Sequence, residues 1–162
     1  CVLPGVDQKG ISHEEAVKIA GETMSQMAGH ARQSGVRFVF EPHIESVLES
    51  PIETLTFLNQ YSDLEIALDY AHFIAQGYDT SDVDPLVPFA GQIHLRQGAK
   101  TQLQARWDEG QIDFPKVIGM LKDTGFTGTV MLEYEHEDWK DCNKVDVITE
   151  SIKMRDAVTP YL

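Results

Sequence analysis

The sequence has few cysteines, no cluster of basic residues and no long apolar run. Its two cysteines, Cys1 and Cys142, are too few for the disulfide framework of a small secreted domain, and they lack the paired spacing of a thiolate metal site. The uncharged apolar runs are far shorter than the roughly 20 residues of a membrane-spanning helix. We therefore expect no membrane partner and a reducing, cytoplasmic location.

Acidic residues outnumber basic ones by 26 to 13, which gives a formal net charge of −13. A surface of this sign repels the phosphodiester backbone unless a local basic patch compensates. The lysines and arginines are scattered along the chain and form no such patch. We expect no nucleic-acid partner.

The chain is about one domain long, and its hydrophobic content of 42% is ordinary for a globular protein. No internal repeat, low-complexity tract or shift in composition divides it. We expect residues 1–162 to form a single domain or part of one.

Helix-start signals and apolar runs alternate along the chain. Ser12 followed by Glu15 is a capping box that predicts a helix over 13–33, and Pro51 at a first helical position predicts a second, short helix. Further helices are predicted over 82–89, 113–121 and 145–158, and strands over 36–40, 64–68, 91–95 and 128–132. Continuous apolar strands that alternate with helices are typical of an α/β fold, in which parallel strands are covered on both sides. Either a barrel or a doubly wound sheet satisfies this pattern.

A metal-competent side chain follows or ends each of the four predicted strands. These residues are Glu41, Asp69, His94 and Glu133. In (β/α)8 enzymes the active site lies at the carboxyl ends of the strands. Three carboxylates that converge there raise one another's pKa unless a cation neutralises them. The pattern predicts a divalent metal site, and its mixed oxygen and nitrogen ligands suit Mn²⁺, Mg²⁺ or Co²⁺, with Zn²⁺ left open.

Five segments carry a resemblance to a known superfamily. They are Phe40-Glu41-Pro42-His43, Leu68-Asp69-Tyr70-Ala71-His72, Ile93-His94-Leu95-Arg96, residues 108–114 and residues 125–134. In their order and spacing they resemble the sugar phosphate isomerase/epimerase superfamily, the xylose isomerase-like TIM barrels, over about residues 36–135. The resemblance implies the same metal ligands as the strand ends do.

The resemblance also implies a register within the barrel. It places the predicted strands as the fifth to eighth of a (β/α)8 barrel, and residues 2–5 as the end of the fourth. The chain is then expected to be the C-terminal half of a barrel, truncated at its N-terminus. Because an open sheet exposes unpaired edges, we expect either a homo-oligomer or a missing N-terminal half.

The activity implied by the resemblance is that of a metal-dependent sugar or sugar-phosphate isomerase or epimerase. Such a reaction removes and returns a proton beside a carbonyl, through an enediolate that the metal stabilises. The resemblance makes Glu41 and Glu133 the proton-transferring pair as well as ligands, and it makes His72 a substrate contact. Arg96 and Arg106 are alternative cations for binding substrate oxygens or a phosphate. Glu45, one helical turn after Glu41, is a further candidate for the pocket wall.

Three alternatives stay open at this point. A dehydratase or lyase of the same superfamily would use the same metal and the same first proton transfer. An endonuclease IV-like protein would share the segment that begins at Asp69, but Leu95-Arg96-Gln97 and Ala105-Arg106-Trp107 depart from its expected metal-binding segments. An inactive half-barrel would serve only to oligomerise or bind.

Overall fold

Three short parallel strands form the centre of the fold in the computed structural model, which describes residues 1–162. Strand β1 (Ile66–Asp69) pairs with β2 (Ala90–Leu95), and β2 pairs with β3 (Thr129–Leu132). Helical segments connect β1 to β2 and β2 to β3. The predicted α/β class with a parallel sheet is therefore confirmed.

The predicted strand over 36–40 is wrong as a regular strand. Only Phe40 makes parallel bridges, to Val2 on one side and to Ile66 of β1 on the other. The backbone N–H of Val36 donates instead to Ala31 O at 2.9 Å, at the end of the first helix, so it is not available to a ladder. The bridges still extend the sheet by two strand-like segments, in the order Val2, Phe40, β1, β2, β3.

The long helix α1 (His13–Gln33) has the predicted bounds. The hydroxyl of Ser12 accepts the backbone N–H of Glu15 at 3.2 Å, as an N-cap does. The other α-helices are α2 (Pro51–Gln60), α3 (Tyr70–Ile74), α4 (Thr80–Val83), α5 (Phe114–Asp123) and α6 (Val147–Val158). None of them combines the length and the apolar character that a bilayer crossing requires.

The region between β1 and β2 is more finely divided than predicted. The helix α3 begins directly after Asp69, whose side chain caps it, and the predicted helix over 82–89 consists of the end of α4 and a 3-10 helix, Asp84–Phe89. A five-residue helix is too short to show an apolar period, so its sequence carried no signal. Its effect is to bring His72 back towards the strand ends.

The core lies between the sheet and its helices, and it contains 31 buried residues. Strand β1 is buried along its whole length, with Leu68 fully enclosed. Strand β3 is mostly exposed, and its Met131 and Leu132 are each 41% accessible. The expectation that all strands are covered on both sides is wrong for β3, because Met131 and Leu132 point to opposite faces of the sheet and both are exposed.

Candidate metal centre

The four residues predicted from the strand ends meet in one cluster. One ligand atom from each of Glu41, Asp69, His94 and Glu133 lies within 4.8 Å of all the others. Asp69 and His94 are opposite each other in the β1–β2 register. Glu133 follows β3, and its N–H donates to Leu95 O at 3.1 Å; Glu41 follows Phe40, and its N–H donates to Val2 O at 2.9 Å. Parallel pairing thus brings all four to the carboxyl-terminal ends of the strands, on the same side of the molecule.

Two of the carboxylates meet at one imidazole nitrogen. Nδ1 of His94 lies 2.8 Å from Glu41 Oε1 and 2.8 Å from Glu133 Oε2. One N–H can point to only one oxygen, and the hydrogen bond goes to Glu41. The buried oxygen Glu133 Oε2 is left without a hydrogen-bond partner. A buried carboxylate oxygen in this position calls for a positive charge.

Burial and neighbouring charges shift the pKa values of His94 and Glu133. Burial alone lowers the pKa of His94, but the nearby carboxylates of Glu133 and Glu41 outweigh it and raise that pKa to about 10. Burial raises the pKa of Glu133 to about 7, and the contact with His94 offsets only part of that increase. In the metal-free cluster His94 therefore supplies the positive charge between the carboxylates.

Asp69 is fully buried and has partners at both oxygens. Its Oδ1 accepts the N–H of Ala71 at 2.8 Å, while its Oδ2 accepts from Nε of Arg96 at 2.8 Å. Burial acts to raise the pKa of Asp69, but the surrounding charges, that of Arg96 foremost, together with the N–H of Ala71 outweigh it and hold that pKa below its ordinary value. Asp69 is therefore an anion that Arg96 compensates.

Arg96 and His72 lie against the same cluster. Arg96 is only 3% exposed; its Nη2 lies 3.6 Å from Glu133 Oε2 and 3.0 Å from Nε2 of His72, and its Nη1 has no hydrogen-bond partner. Nε2 of His72 is 3.8 Å from both Glu41 Oε1 and Asp69 Oδ2. Burial lowers the pKa of His72 to about 3, so its ring is neutral.

Two other predicted residues lie outside the cluster. Glu45 is exposed, and its carboxylate pairs with Lys140 of the loop that follows β3. The Arg106 side chain is 53% exposed, and its nearest carboxylate is Asp108 at 3.8 Å. Of the two candidate arginines, the structure brings Arg96 to the cluster and leaves Arg106 away from it.

The loops after Phe40 and after β3 meet beside the cluster. The rings of His43 and Trp139 stack with centroids 5.1 Å apart, and His43 lies 4.0 Å from the ring of His72. With the pair of Glu45 and Lys140, these contacts join the two loops. They form an aromatic wall on one side of His72.

Gln92 is a site residue that the sequence reasoning missed. Its side-chain amide lies 2.7 Å from Nε2 of His94. The two residues are two positions apart on β2, and side chains with this spacing lie on the same face of a strand. That spacing is the signal that could have found it.

A cavity away from the cluster lies between α1 and α2. It has a volume of about 670 Å³ and includes none of the four cluster residues. His13, which lines it, lies 3.5 Å from Glu53 and 3.1 Å from Asp7, and these side chains are about half exposed and therefore solvated. The candidate chemistry of this chain is concentrated at the strand ends rather than in this cavity.

The donor set of the cluster fits a divalent cation. It combines three carboxylates with one imidazole nitrogen, the combination that suits Mn²⁺, Mg²⁺ or Co²⁺. Glu133 Oε2 is the orphaned atom that such a cation would satisfy. The four residues could therefore hold a metal ion.

Comparisons with known proteins agree with the fold described above. A family model described as "xylose isomerase-like TIM barrel" matches residues 1–157. An inosose dehydratase of Clostridium perfringens is 22% identical over 155 residues, which cover 83% of this chain and 52% of the relative. The chain thus spans about half the length of that curated relative.

Solved structures share the fold. A xylose isomerase-like TIM barrel protein of Mycobacterium smegmatis, in complex with magnesium, superposes with a TM-score of 0.72 at 13% identity; the match covers 97% of this chain and 55% of that one. A D-allulose 3-epimerase from Methylomonas sp. gives a TM-score of 0.71 at 17% identity, over 97% of this chain and 59% of that one. Both matches cover little more than half of the solved protein.

Proposed function

Because this chain belongs to the xylose isomerase-like TIM barrel family, we propose that it is the metal-binding C-terminal half of a sugar or sugar-phosphate isomerase or epimerase. The observation that carries the proposal is the convergence of Glu41, Asp69, His94 and Glu133 at the carboxyl-terminal ends of the strands. Four ligand-competent groups from four separate segments meet there, and one buried oxygen among them lacks a partner. Such a cluster is costly to bury unless it binds a cation.

The half-barrel assignment rests on length and on the sheet edges. The chain matches 52% to 60% of the length of its relatives. Val2 lies at one edge of its sheet and β3 at the other, with exposed apolar side chains, Leu3 and Leu132, close to each edge. In the proposal these segments are the end of strand four and strands five to eight of the barrel, within one domain over residues 1–162. The missing strands come from an N-terminal half or from a second copy of this chain.

Glu41, Asp69, His94 and Glu133 are the proposed ligands, for Mn²⁺, Mg²⁺ or Co²⁺, with Zn²⁺ as a further candidate. A cation bound there supplies the positive charge that stabilises the anion formed when a substrate loses a proton beside its carbonyl. Asp69 is held for this role by the N–H of Ala71 and by Arg96. The side chain of Asp69, the proposed ligand from β1, is therefore held in position even without a metal.

Glu41 and Glu133 are the proposed proton-transferring pair. They reach the cluster from opposite sides, one from the Phe40 segment and one from β3, with β1 and β2 between them. Two carboxylates placed in this way can face a flat reaction centre from both of its sides. One can remove a proton and the other can return it, as an epimerisation requires.

Arg96 and His72 are the proposed substrate contacts. Nη1 of Arg96 has no hydrogen-bond partner, although the side chain is almost fully buried. A substrate hydroxyl or phosphate oxygen would satisfy it. His72 lies beside the cluster as a neutral ring. Glu45 and Arg106 remain candidates for the outer rim of the pocket.

Metal binding is tested on the chain as it stands. The chain is stripped with a chelator and titrated with Mn²⁺ by calorimetry, and we expect one saturable site that Glu41→Gln and Glu133→Gln weaken. Glu22→Gln, on the exposed face of α1, is the matched control and should bind as the parent does. Unaltered Mn²⁺ binding by both cluster variants, or no binding by the parent, would contradict the proposal and favour an inactive half-barrel.

The reaction itself is tested on the completed barrel. The chain joined to its N-terminal half is incubated with a panel of ketoses in deuterated water. Epimerisation through proton transfer predicts deuterium at the carbon beside the carbonyl together with an inverted centre. Absence of exchange across the panel would rule out the proposed reaction for those sugars.

A dehydratase is the second candidate, favoured by the similarity to inosose dehydratase over 83% of this chain. Its first step is the same proton removal, after which the substrate loses hydroxide instead of regaining a proton. The two reactions are distinguished by mass spectrometry of the same incubations. A dehydratase gives a product lighter by one water, whereas an epimerase gives an isomer of unchanged composition.

A further inference from the structure

The two ring nitrogens of His94 have different partners. Nδ1 lies 2.8 Å from a carboxylate oxygen of Glu41 and 2.8 Å from one of Glu133, so this nitrogen faces the metal cluster. Nε2 lies 2.7 Å from the side-chain amide of Gln92 and points away from the cluster. The orientation of the ring is therefore set by contacts on two opposite sides.

A cation bound through Nδ1 requires a proton on Nε2. When Nδ1 gives its lone pair to a cation, the neutral ring carries its single proton on Nε2. That Nε2–H needs an acceptor, and the amide of Gln92 is the group within reach.

Gln92 can supply that acceptor. A half-turn of its terminal amide exchanges the oxygen and the NH₂ group without moving the rest of the side chain. In the structure the amide nitrogen faces both Nε2 of His94 and the sulfur of Met131 on β3, and the half-turn puts the amide oxygen in that place. The backbone of Gln92 is held on both sides, opposite Ala67 of β1 and Thr129 of β3.

We propose that Gln92 is a positioning residue of the metal centre, which accepts a hydrogen bond from His94 Nε2–H and so keeps Nδ1 directed at the metal. The inference rests on the metal site proposed above. Gln92 itself touches neither metal nor substrate and acts through His94. Partners of this kind fix both the tautomer and the orientation of a ligating histidine.

The test compares Mn²⁺ affinity, by calorimetry on the full chain, among the parent, Gln92→Leu and Gln92→Glu. Leucine cannot accept the hydrogen bond, and we expect its affinity to fall about 10- to 100-fold. Glutamate keeps an acceptor oxygen at the same reach, and we expect binding at least as tight as that of the parent. Gln33→Leu, at an exposed position of α1, is the control for replacing glutamine by leucine.

The outcomes separate this inference from the metal site. Parent-like affinity of Gln92→Leu in a chain that binds Mn²⁺ overturns the role of Gln92 and leaves the metal site standing. Equal losses in the leucine and glutamate variants also overturn it, because they point to packing rather than to an acceptor. No binding by the parent overturns the metal site and this inference together.

A second measurement needs no variant at position 92. Nitrogen-15 spectra of the histidine-labelled parent, loaded with diamagnetic Mg²⁺ or Zn²⁺, report which nitrogen of His94 carries the proton. The His94 signals are identified by their loss in His94→Gln. We expect the proton on Nε2; a proton on Nδ1 with a bare Nε2 overturns the proposal even if Gln92→Leu fails to fold.

Discussion

Strands β1 and β3 each deliver a carboxylate to the same cluster, yet their surroundings differ. Strand β1 is enclosed along its whole length, and its Asp69 is fully buried. Strand β3 is mostly exposed, and the Glu133 side chain that follows it is 17% exposed. Asp69 has the N–H of Ala71 and the guanidinium of Arg96 as partners. Glu133 has a buried oxygen with no hydrogen bond.

This difference separates two roles that a metal ligand can have. Asp69 stabilises the metal-free fold because it neutralises Arg96, which is buried beside it. Glu133 destabilises the metal-free fold, since burial raises its pKa without full compensation. Of the two proposed ligands, Asp69 stabilises the fold without a metal, whereas the charge of Glu133 would be compensated only by a bound metal. Each of the following experiments tests that contrast.

The largest effect on stability and metal affinity is expected for Asp69→Asn on β1. The change leaves Arg96 buried without its closest counter-charge, which should lower the free energy of unfolding by about 3 kcal/mol or more. It also removes a ligand, so Mn²⁺ affinity should fall by more than the roughly 10- to 100-fold that a lost outer-shell partner costs. Urea denaturation and calorimetry measure the two effects; unchanged stability would show that Arg96 does not depend on Asp69.

The second experiment compares apolar residues on the two strands. Leu68→Ala on β1 opens a cavity in the enclosed core and should cost about 2 to 5 kcal/mol. Leu132→Ala on β3 removes a side chain that is 41% accessible and should cost about 1 kcal/mol or less. Because both variants replace leucine by alanine, the difference between their free energies of unfolding, measured by urea denaturation, reports the effect of burial alone. Equal losses would mean that β3 is covered in solution, as pairing between copies would do.

Glu133→Gln is expected to raise the free energy of unfolding at alkaline pH, whereas the preceding variants lower it. The folded pKa of Glu133, about 7, lies above its unfolded value, so the folded state binds a proton that the unfolded state has lost. The parent's free energy of unfolding therefore falls as pH rises from about 4.5 to 7, and glutamine removes this contribution.

At pH 8 without metal, Glu133→Gln should be more stable than the parent by about 1 kcal/mol, because the loss of its contact with His94 offsets part of the gain. Urea denaturation at pH 5 and pH 8 tests this. A variant that is less stable than the parent at pH 8 would show that Glu133, like Asp69, is part of the structure.

The smallest effect is expected for Arg106→Ala, outside the cluster. Its side chain is exposed, and its one ion pair, with Asp108 at 3.8 Å, should contribute less than about 1 kcal/mol. Mn²⁺ affinity and stability should match those of the parent. A clear loss of metal affinity would place Arg106 near the site and weaken the preference for Arg96.

Much of the fold was predictable because local signals are strong where elements are long or capped. The bounds of α1 follow from the cap at Ser12 and its apolar period. The four-residue cluster follows from the polar residues that end apolar strands, and Asp69 and His94 are in register as parallel pairing requires. The predicted strand over 36–40 failed because a strand needs neighbours on its sides, and only Phe40 has them.

By itself, the sequence determined the order of the main elements, α1, α2, β1, β2, α5, β3 and α6, and the identity of the groups at the strand ends. These depend on neighbours along the chain and on the period of the apolar residues. Only the tertiary structure decided that Arg96 rather than Arg106 lies at the cluster and that β1 is enclosed while β3 is open. These features depend on contacts between segments far apart in the chain, and on which strand has a partner at its edge.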